Sequence, residues 1–226
     1  MKIAVLGTGT VGQAIAGALA ELGHEVTVGT RDVEATMART DPDGMGGPPF
    51  SAWAPAHPAV RLATFAAAAR GAELVVNATS GGVSMAALEA AGADNLAGKV
   101  VLDIANPLDF SKGFPPTLLV KDTDSLGERI QAAFPQARVV KSLNTMAAPL
   151  MVNPAQLGGG DHSVFVSGND PEAKKTVTGL LKGFGHTDII DLGDLSTARG
   201  PEMVMPIWLR LMGTLNTPMF NFKIVR

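Results

Sequence analysis

Two groups of residues in this chain have the type and spacing to hold a phosphate. The first is Gly7-Thr8-Gly9-Thr10-Val11-Gly12, which fits G-x-G-x-x-G. Each glycine has a mechanical use: Gly7 for a tight turn, Gly9 for close approach of a pyrophosphate, Gly12 for packing of a helix on a strand. The helix that follows would point free N–H groups and a positive dipole end at the phosphates. The second is Thr30 followed by Arg31, in the stretch "VTVGTRD". A nucleotide site that grips a ribose 2′-OH has an Asp or Glu at this place. A carboxylate would repel a 2′-phosphate, whereas a hydroxyl and a guanidinium accept one. The pair therefore points to NADP. Asp32 offers the competing reading, a carboxylate that reaches a ribose hydroxyl instead, and a solvated Arg31 is the plain alternative.

Three further stretches are small and polar where an apolar run ends: Thr79-Ser80-Gly81-Gly82, Asn106-Pro107 and Asn144-Thr145. Each alone reads equally well as turn chemistry. Together they suggest a wall along one cofactor, with Thr79, Ser80, Asn106, Pro107 and Asn144 as candidate contacts. No catalytic side chain and no metal ligand is assigned. His24, His57, His162 and His186 have no neighbours at metal spacing, and Asp103 lies inside an apolar run as a structural carboxylate. The chain has no cysteine and no tyrosine. That excludes disulfides, thiolate metal sites, Cys nucleophiles and a Tyr-x-x-x-Lys reductase site. Hydride transfer between two held cofactors needs positioning more than a proton-transferring side chain.

The elements that would position these residues alternate. "KIAVLG", "EVTVGT", "VRLAT", "ELVVNAT", "KVVLDIANP" and "ARVVKSLN" read as strands, with helices such as "VGQAIAGALAELG" and "SLGERIQAAFP" between most of them. The alternation predicts an α/β fold: a Rossmann-type, doubly wound, mostly parallel sheet. Residues 1–150 read as the dinucleotide-binding domain. Residues 151–226 read as a C-terminal α/β extension packed on it, ending in a Met-rich helix, "PEMVMPIWLRLMGTL", and an extended tail. Asp41 to Pro58 is dense in Pro and Gly and reads as a loop, expected as a mobile cover near the adenosine end of the site, with Phe50 and Trp53 either in that contact or merely pinning the loop to the protein's own surface. The Met-rich helix is apolar around nearly its whole circumference, which requires enclosure by the domain, a second subunit or a ligand; packing in a homodimer is expected, with a core helix of a monomer as the alternative. Trp208 and Met146 would then wall the acceptor site. The chain has 226 residues, 46% hydrophobic and 17% charged, with a net charge of -3. That is ample for one buried core and gives no basic patch for nucleic acid or anionic membrane. No apolar run is long enough to span a membrane, and a cytoplasmic homodimer is expected.

The segments "KIAVLGTGTVGQAIAGALAELGHEVTVGTRD", "VVNAT", "DIANPL" and "VVKSLNT" resemble the NADPH-dependent reductases of coenzyme F420, and the C-terminal segment resembles their bacterial branch. The resemblance implies that Gly7 to Gly12 hold the NADP pyrophosphate and that Thr30 and Arg31 hold the 2′-phosphate. It also implies a deazaflavin acceptor stacked over the late strands and the C-terminal segment. Family members often carry a second basic residue one turn beyond the arginine, where this chain has Ala35. Two other readings stay open: an NADPH-dependent reductase of a flavin, carbonyl or imine, and a non-enzymatic NADP sensor.

Overall fold

The computed structural model describes residues 1–226. Ten strands form: β1 (Lys2–Leu6), β2 (Glu25–Thr30), β3 (Arg61–Thr64), β4 (Leu74–Asn77), β5 (Val100–Asp103), β6 (Leu108–Asp109), β7 (Thr117–Leu118), β8 (Arg138–Ser142), β9 (Ser163–Gly168) and β10 (Asp188–Gly193). Eight of them make one sheet in the order β10-β9-β8-β5-β4-β1-β2-β3, and β6 and β7 form a separate two-stranded ribbon. The pairings of β1 with β2 and β4, β2 with β3, β4 with β5, and β5 with β8 are all parallel. Only β9 runs antiparallel to its neighbour β8. The expected mostly parallel, doubly wound sheet is therefore present, and β9 and β10 extend it at one edge.

The helices are α1 (Thr10–Glu21), α2 (Val33–Ala38), α3 (Phe50–Trp53), α4 (Phe65–Gly71), α5 (Ser84–Ala91), α6 (Ala93–Leu96), α7 (Leu126–Ala133), α8 (Ala148–Val152), α9 (Pro171–Gly183), α10 (Arg199–Met203) and α11 (Met205–Leu215). The buried strands are apolar on both faces because both are covered. Ile3 and Val5 of β1 face a core shared with α1, α8 and α9 through Ile15, Leu19, Leu150, Val177 and Leu181. Ala4 and Leu6 face the opposite core, shared with α4, α5 and α7 through Phe65, Leu88 and Ile130. No helix is long and apolar enough to cross a membrane.

Two sequence expectations need correction. The segment Asp41 to Pro58 is not loop throughout: α3 and a 3-10 turn at Ala54–Ala56 occupy its second half. Phe50 is buried in the main core, and the Trp53 ring stacks on His57 at 3.8 Å. These aromatics pin the segment to the protein's own surface. Secondly, the Met-rich helix is two helices. Pro206 is the second residue of α11 and has no N–H to give to Glu202 O, so a continuous helix would lack that bond. The break turns Met205, Trp208 and Leu209 inward and leaves Met203, Ile207 and Leu215 exposed.

The extended tail after Asn216 is tied to the sheet edge. Asp188 accepts from the Ser163 hydroxyl at 2.6 Å and from Arg226 at 2.8 Å. Those two hydrogen bonds lead in holding its carboxyl down to about 2, against about 3.9 for a free Asp. A carboxylate depressed by folding stabilises fully above its free value and loses that effect as pH falls through the folded value. The Ile224 amide, held by Ser163 Oγ at 2.9 Å, is thus expected to lose protection between about pH 4 and pH 2. Hydrogen exchange, corrected for intrinsic rates, checks this; protection unchanged relative to β1 would rule out the anchor.

Candidate dinucleotide-binding site

The predicted residues lie along the carboxyl ends of the parallel strands, and their neighbours join them into one rim. Gly7 has φ 121, open to glycine but costly for other residues, and a methyl there would meet Ala78 O at 2.6 Å. The ends of β1 and β4 therefore touch. A methyl on Gly12 would stand 2.1 Å from Gly7 O, so the third glycine is required for α1 to seat on the turn. The Gly12→Ala change has no flexible side chain to push aside there. Thr79 donates to Asn77 Oδ1 at 2.7 Å, beside Ser84 Oγ at 2.9 Å. Gly81 lies against Asn106 O and Pro107, which joins β4's end to β5's. Asn106 Nδ2 donates to Asn144 O at 2.8 Å, and Asn144 Nδ2 returns a bond to Asn106 Oδ1 at 2.9 Å. Asn144 also donates to Pro201 O of α10 at 3.0 Å. The preceding Leu143 is buried with φ 63, a strained conformation for a leucine that turns the chain out of β8 and delivers Asn144 to the rim. Ser80 is exposed.

At the first turn of α1, the earliest internal bond is Gln13 N to Gly9 O at 2.9 Å. The amides of Thr10, Val11 and Gly12 precede it and have no partner within the helix, so they are available to an anion. An anion is already seated there. Asp43 Oδ2 accepts from Thr10 N at 2.5 Å and from the Thr10 hydroxyl at 2.7 Å. Burial alone would raise the Asp43 pKa, but the bonds from Thr10, Gly47 and Met45 together hold it below the ordinary carboxylate value. The carboxylate is bound by the kind of donors, a helix N-terminal amide and a hydroxyl, that bind a phosphate oxygen. The cradle thus fits the diphosphate of a dinucleotide in both shape and polarity.

At the end of β2, Asp32 is committed to capping α2, accepting from Ala35 N at 2.9 Å. The Thr36 hydroxyl donates to Asp32 O, so the Thr30 hydroxyl, 2.7 Å from Thr36 Oγ1, donates to Thr36. Arg31 is exposed and forms none of the chain's ion pairs. It is the free cation at this corner. Met146 is 4% exposed, in the main core, and Trp208 is 8% exposed, in a separate cluster with Met205 and Leu209. The structure does not bring those two into one cluster.

The sequence reading took Asp103 as a structural carboxylate, which it is, but missed its charged partners directly beneath the rim. Lys141 is buried, 2.7 Å from Asp103 and 2.9 Å from Glu202, and all three side chains are at most 1% exposed. Lys141 also donates to Ala105 O at 2.5 Å. Burial would lower the Lys141 pKa, but Asp103 and Glu202 outweigh it and raise the value. Asp103 continues the network to Asn77 Nδ2 at 2.8 Å, and Glu202 accepts from Leu126 N and Gly127 N at the start of α7. The available signal was a lysine and an aspartate each at the end of an apolar strand. In the sheet, Asp103 and Lys141 are directly paired in register. Gln13 was also missed; its amide joins Thr8 O and Pro48 O, both at 2.9 Å.

Residues 2–107 match the family model described as NADP oxidoreductase coenzyme F420-dependent. The F420-dependent NADP reductase of Methanocaldococcus jannaschii is 31% identical over 122 residues, 52% of each chain. The rat metalloreductase STEAP3 is 27% identical over 212 residues, 92% of this chain but 38% of its own. The chain therefore spans about half or less of these two relatives. A crystal structure from Arthrobacter sp. FB24, provisionally assigned as an F420-dependent NADP reductase, is 66% identical over the full length of both chains, with a TM-score of 0.95. Together with the glycine cradle and the rim, these matches show that the chain belongs to the coenzyme F420-dependent NADP oxidoreductase family.

Proposed function

We propose that the protein is an NADP-dependent oxidoreductase that passes hydride between NADP(H) and coenzyme F420. The observation that carries the NADP part is Arg31. It stands unpaired beside the glycine cradle, where a site for the unphosphorylated nucleotide would keep a carboxylate. The F420 part rests on the full-length relative and on the archaeal reductase. The nicotinamide supplies the hydride chemistry when bound. The chain's own residues bind and orient. The α1 amides and Gly9 receive the diphosphate and Arg31 the 2′-phosphate. Thr79, Ser80, Asn106, Pro107 and Asn144 wall the reacting end. The charged groups beneath the rim, Asp103 and Lys141, are buried and paired, so they hold the rim rather than move protons. Anaerobic mixing with NADPH and F420 tests the reading: the deazaflavin absorbance should fall. A fall with flavin but not with F420 would reassign the acceptor.

In this reading residues 1–150 hold the nucleotide and residues 151–226 serve the acceptor and a second subunit. Trp208 supports the acceptor role because its indole N–H is buried without a partner, a donor that a ligand carbonyl would satisfy. Met146, buried in the main core and apart from the Trp208 cluster, is not carried into that wall. The homodimer is supported by uncovered apolar side chains on one unit. The ribbon of β6 and β7 packs on α11 through Leu108 and Leu118, and Phe110, Phe114, Leu119, Ile207 and Leu215 are all exposed beside that contact. Sedimentation at micromolar concentration should give twice the monomer mass, and Ile207→Glu should shift it to monomer without unfolding. A monomeric parent protein would remove this part of the proposal.

A further inference from the structure

The seat of Asp43 has a consequence for how the site loads. Asp43 is the hub of a closed turn. It accepts from Thr10 twice, and its other oxygen accepts from Met45 N at 2.9 Å and Gly47 N at 2.8 Å. Asp43 N donates to Gly47 O at 2.9 Å, and Gly46 N to Asp43 O at 3.0 Å. The turn is pressed onto the helix: a methyl on Gly47 would lie 2.0 Å from Thr10 Oγ1, and one on Gly9 would lie 3.1 Å from Asp43 Oδ2. A phosphate oxygen and this carboxylate oxygen want the same amide, the same hydroxyl and the same dipole end. Two anions so close also repel one another.

We propose that residues 43–47 form a built-in competitor, in which the Asp43 carboxylate holds the N-terminus of α1 until the dinucleotide diphosphate displaces it. The inference rests on the dinucleotide reading above. The turn thereby lowers apparent nucleotide affinity by the fraction of molecules in which it is closed. It also keeps the cradle's donors satisfied when no nucleotide is present.

Asp43→Asn removes the competing charge and leaves a side chain of the same size. Gly47→Ala leaves the carboxylate intact and pushes the turn off Thr10. Both variants are expected to bind NADPH about five- to tenfold more tightly than the parent protein, as expected if the turn is closed in most molecules. In the parent protein, saturating NADPH should speed hydrogen exchange at the Met45 and Gly47 amides, which lose Asp43 as their acceptor. Unchanged or weakened binding in both variants, with Met45 and Gly47 still protected, would overturn the competitor and show a turn that stays in place. The parent protein's own NADPH titration separates the two readings: binding there with no gain in the variants sinks only the competitor. If no form binds NADPH, the dinucleotide reading fails as well.

Discussion

Replacing Lys141 with methionine is expected to lower the unfolding free energy by about 3–5 kcal/mol, the usual cost of removing one partner from a buried ion pair. Methionine matches the lysine stem in length and apolar character, so lost packing contributes little. The cost comes from what remains. Asp103 and Glu202 would both stay ionised or be forced to protonate, at 0% and 1% side-chain exposure. Asn77 and the Ala105 amide would still serve Asp103, and the two α7 amides would still serve Glu202, so part of the charge stays compensated. Against a typical domain stability of about 5–15 kcal/mol, the loss is large. Urea unfolding of the parent, Lys141→Met, and Lys141→Met combined with Asp103→Asn and Glu202→Gln would measure it. The triple variant should recover part of the loss, because its buried groups are neutral. A loss below about 1 kcal/mol in the single variant would show that the triad is not the uncompensated cost argued here.

The same triad explains why the C-terminal segment belongs to the rim. Glu202 fastens α10 to Lys141 and to the start of α7, and Pro201 beside it accepts from Asn144. The bidentate contact of Arg199 with Glu128, at 2.9 and 2.6 Å, adds a second fastening on the same helix. A mutation in α10 is therefore felt at Asn144, one residue of the polar wall, through side chains rather than through the chain path.

The sheet was legible because its strands are short apolar runs ended by glycine or small polar residues, and because covered parallel strands need no alternation. "KIAVLG" and "ELVVNAT" could hardly be anything else. The glycine cradle was legible for the same reason: Gly7 and Gly12 are needed for backbone approach, and that need is written in residue type. Four features were not legible. The antiparallel direction of β9 depends on how α8 and the following turns return the chain, which periodicity does not encode. The break at Val204 was signalled by Pro206, but the apolar run on both sides hid it. The pairing of Lys141 with Asp103 follows from strand order and register, and strand order is fixed only when β8 falls beside β5. The place of Asp43 at α1 was invisible for a further reason. It is a contact made by a loop whose composition announces only turns, and the carboxylate's partner is a backbone amide more than thirty residues away in sequence.

Arg31→Ala is expected to weaken NADPH binding and to leave NADH binding nearly unchanged. A hydrogen bond to a charged group contributes roughly 1.5–3 kcal/mol, and ~1.4 kcal/mol is tenfold in affinity. Arg31 is exposed, so salt screens it, and the lower end of that range, about tenfold, is the expected loss at physiological ionic strength. Thr30 adds little, because its hydroxyl proton already goes to Thr36. Asp32 does not take over the ribose, because it caps α2. The change therefore isolates one cation. Two further features should accompany the loss. It should shrink as salt rises, since a screened guanidinium has less to lose. It should also be absent for a nucleotide that lacks the 2′-phosphate, since NADH has nothing at that corner for the guanidinium to hold. Calorimetric titration of both nucleotides at two salt concentrations decides the matter. Equal losses for NADPH and NADH would mean that Arg31 supports the loop as a whole, and the assignment of the 2′-phosphate to it would fall.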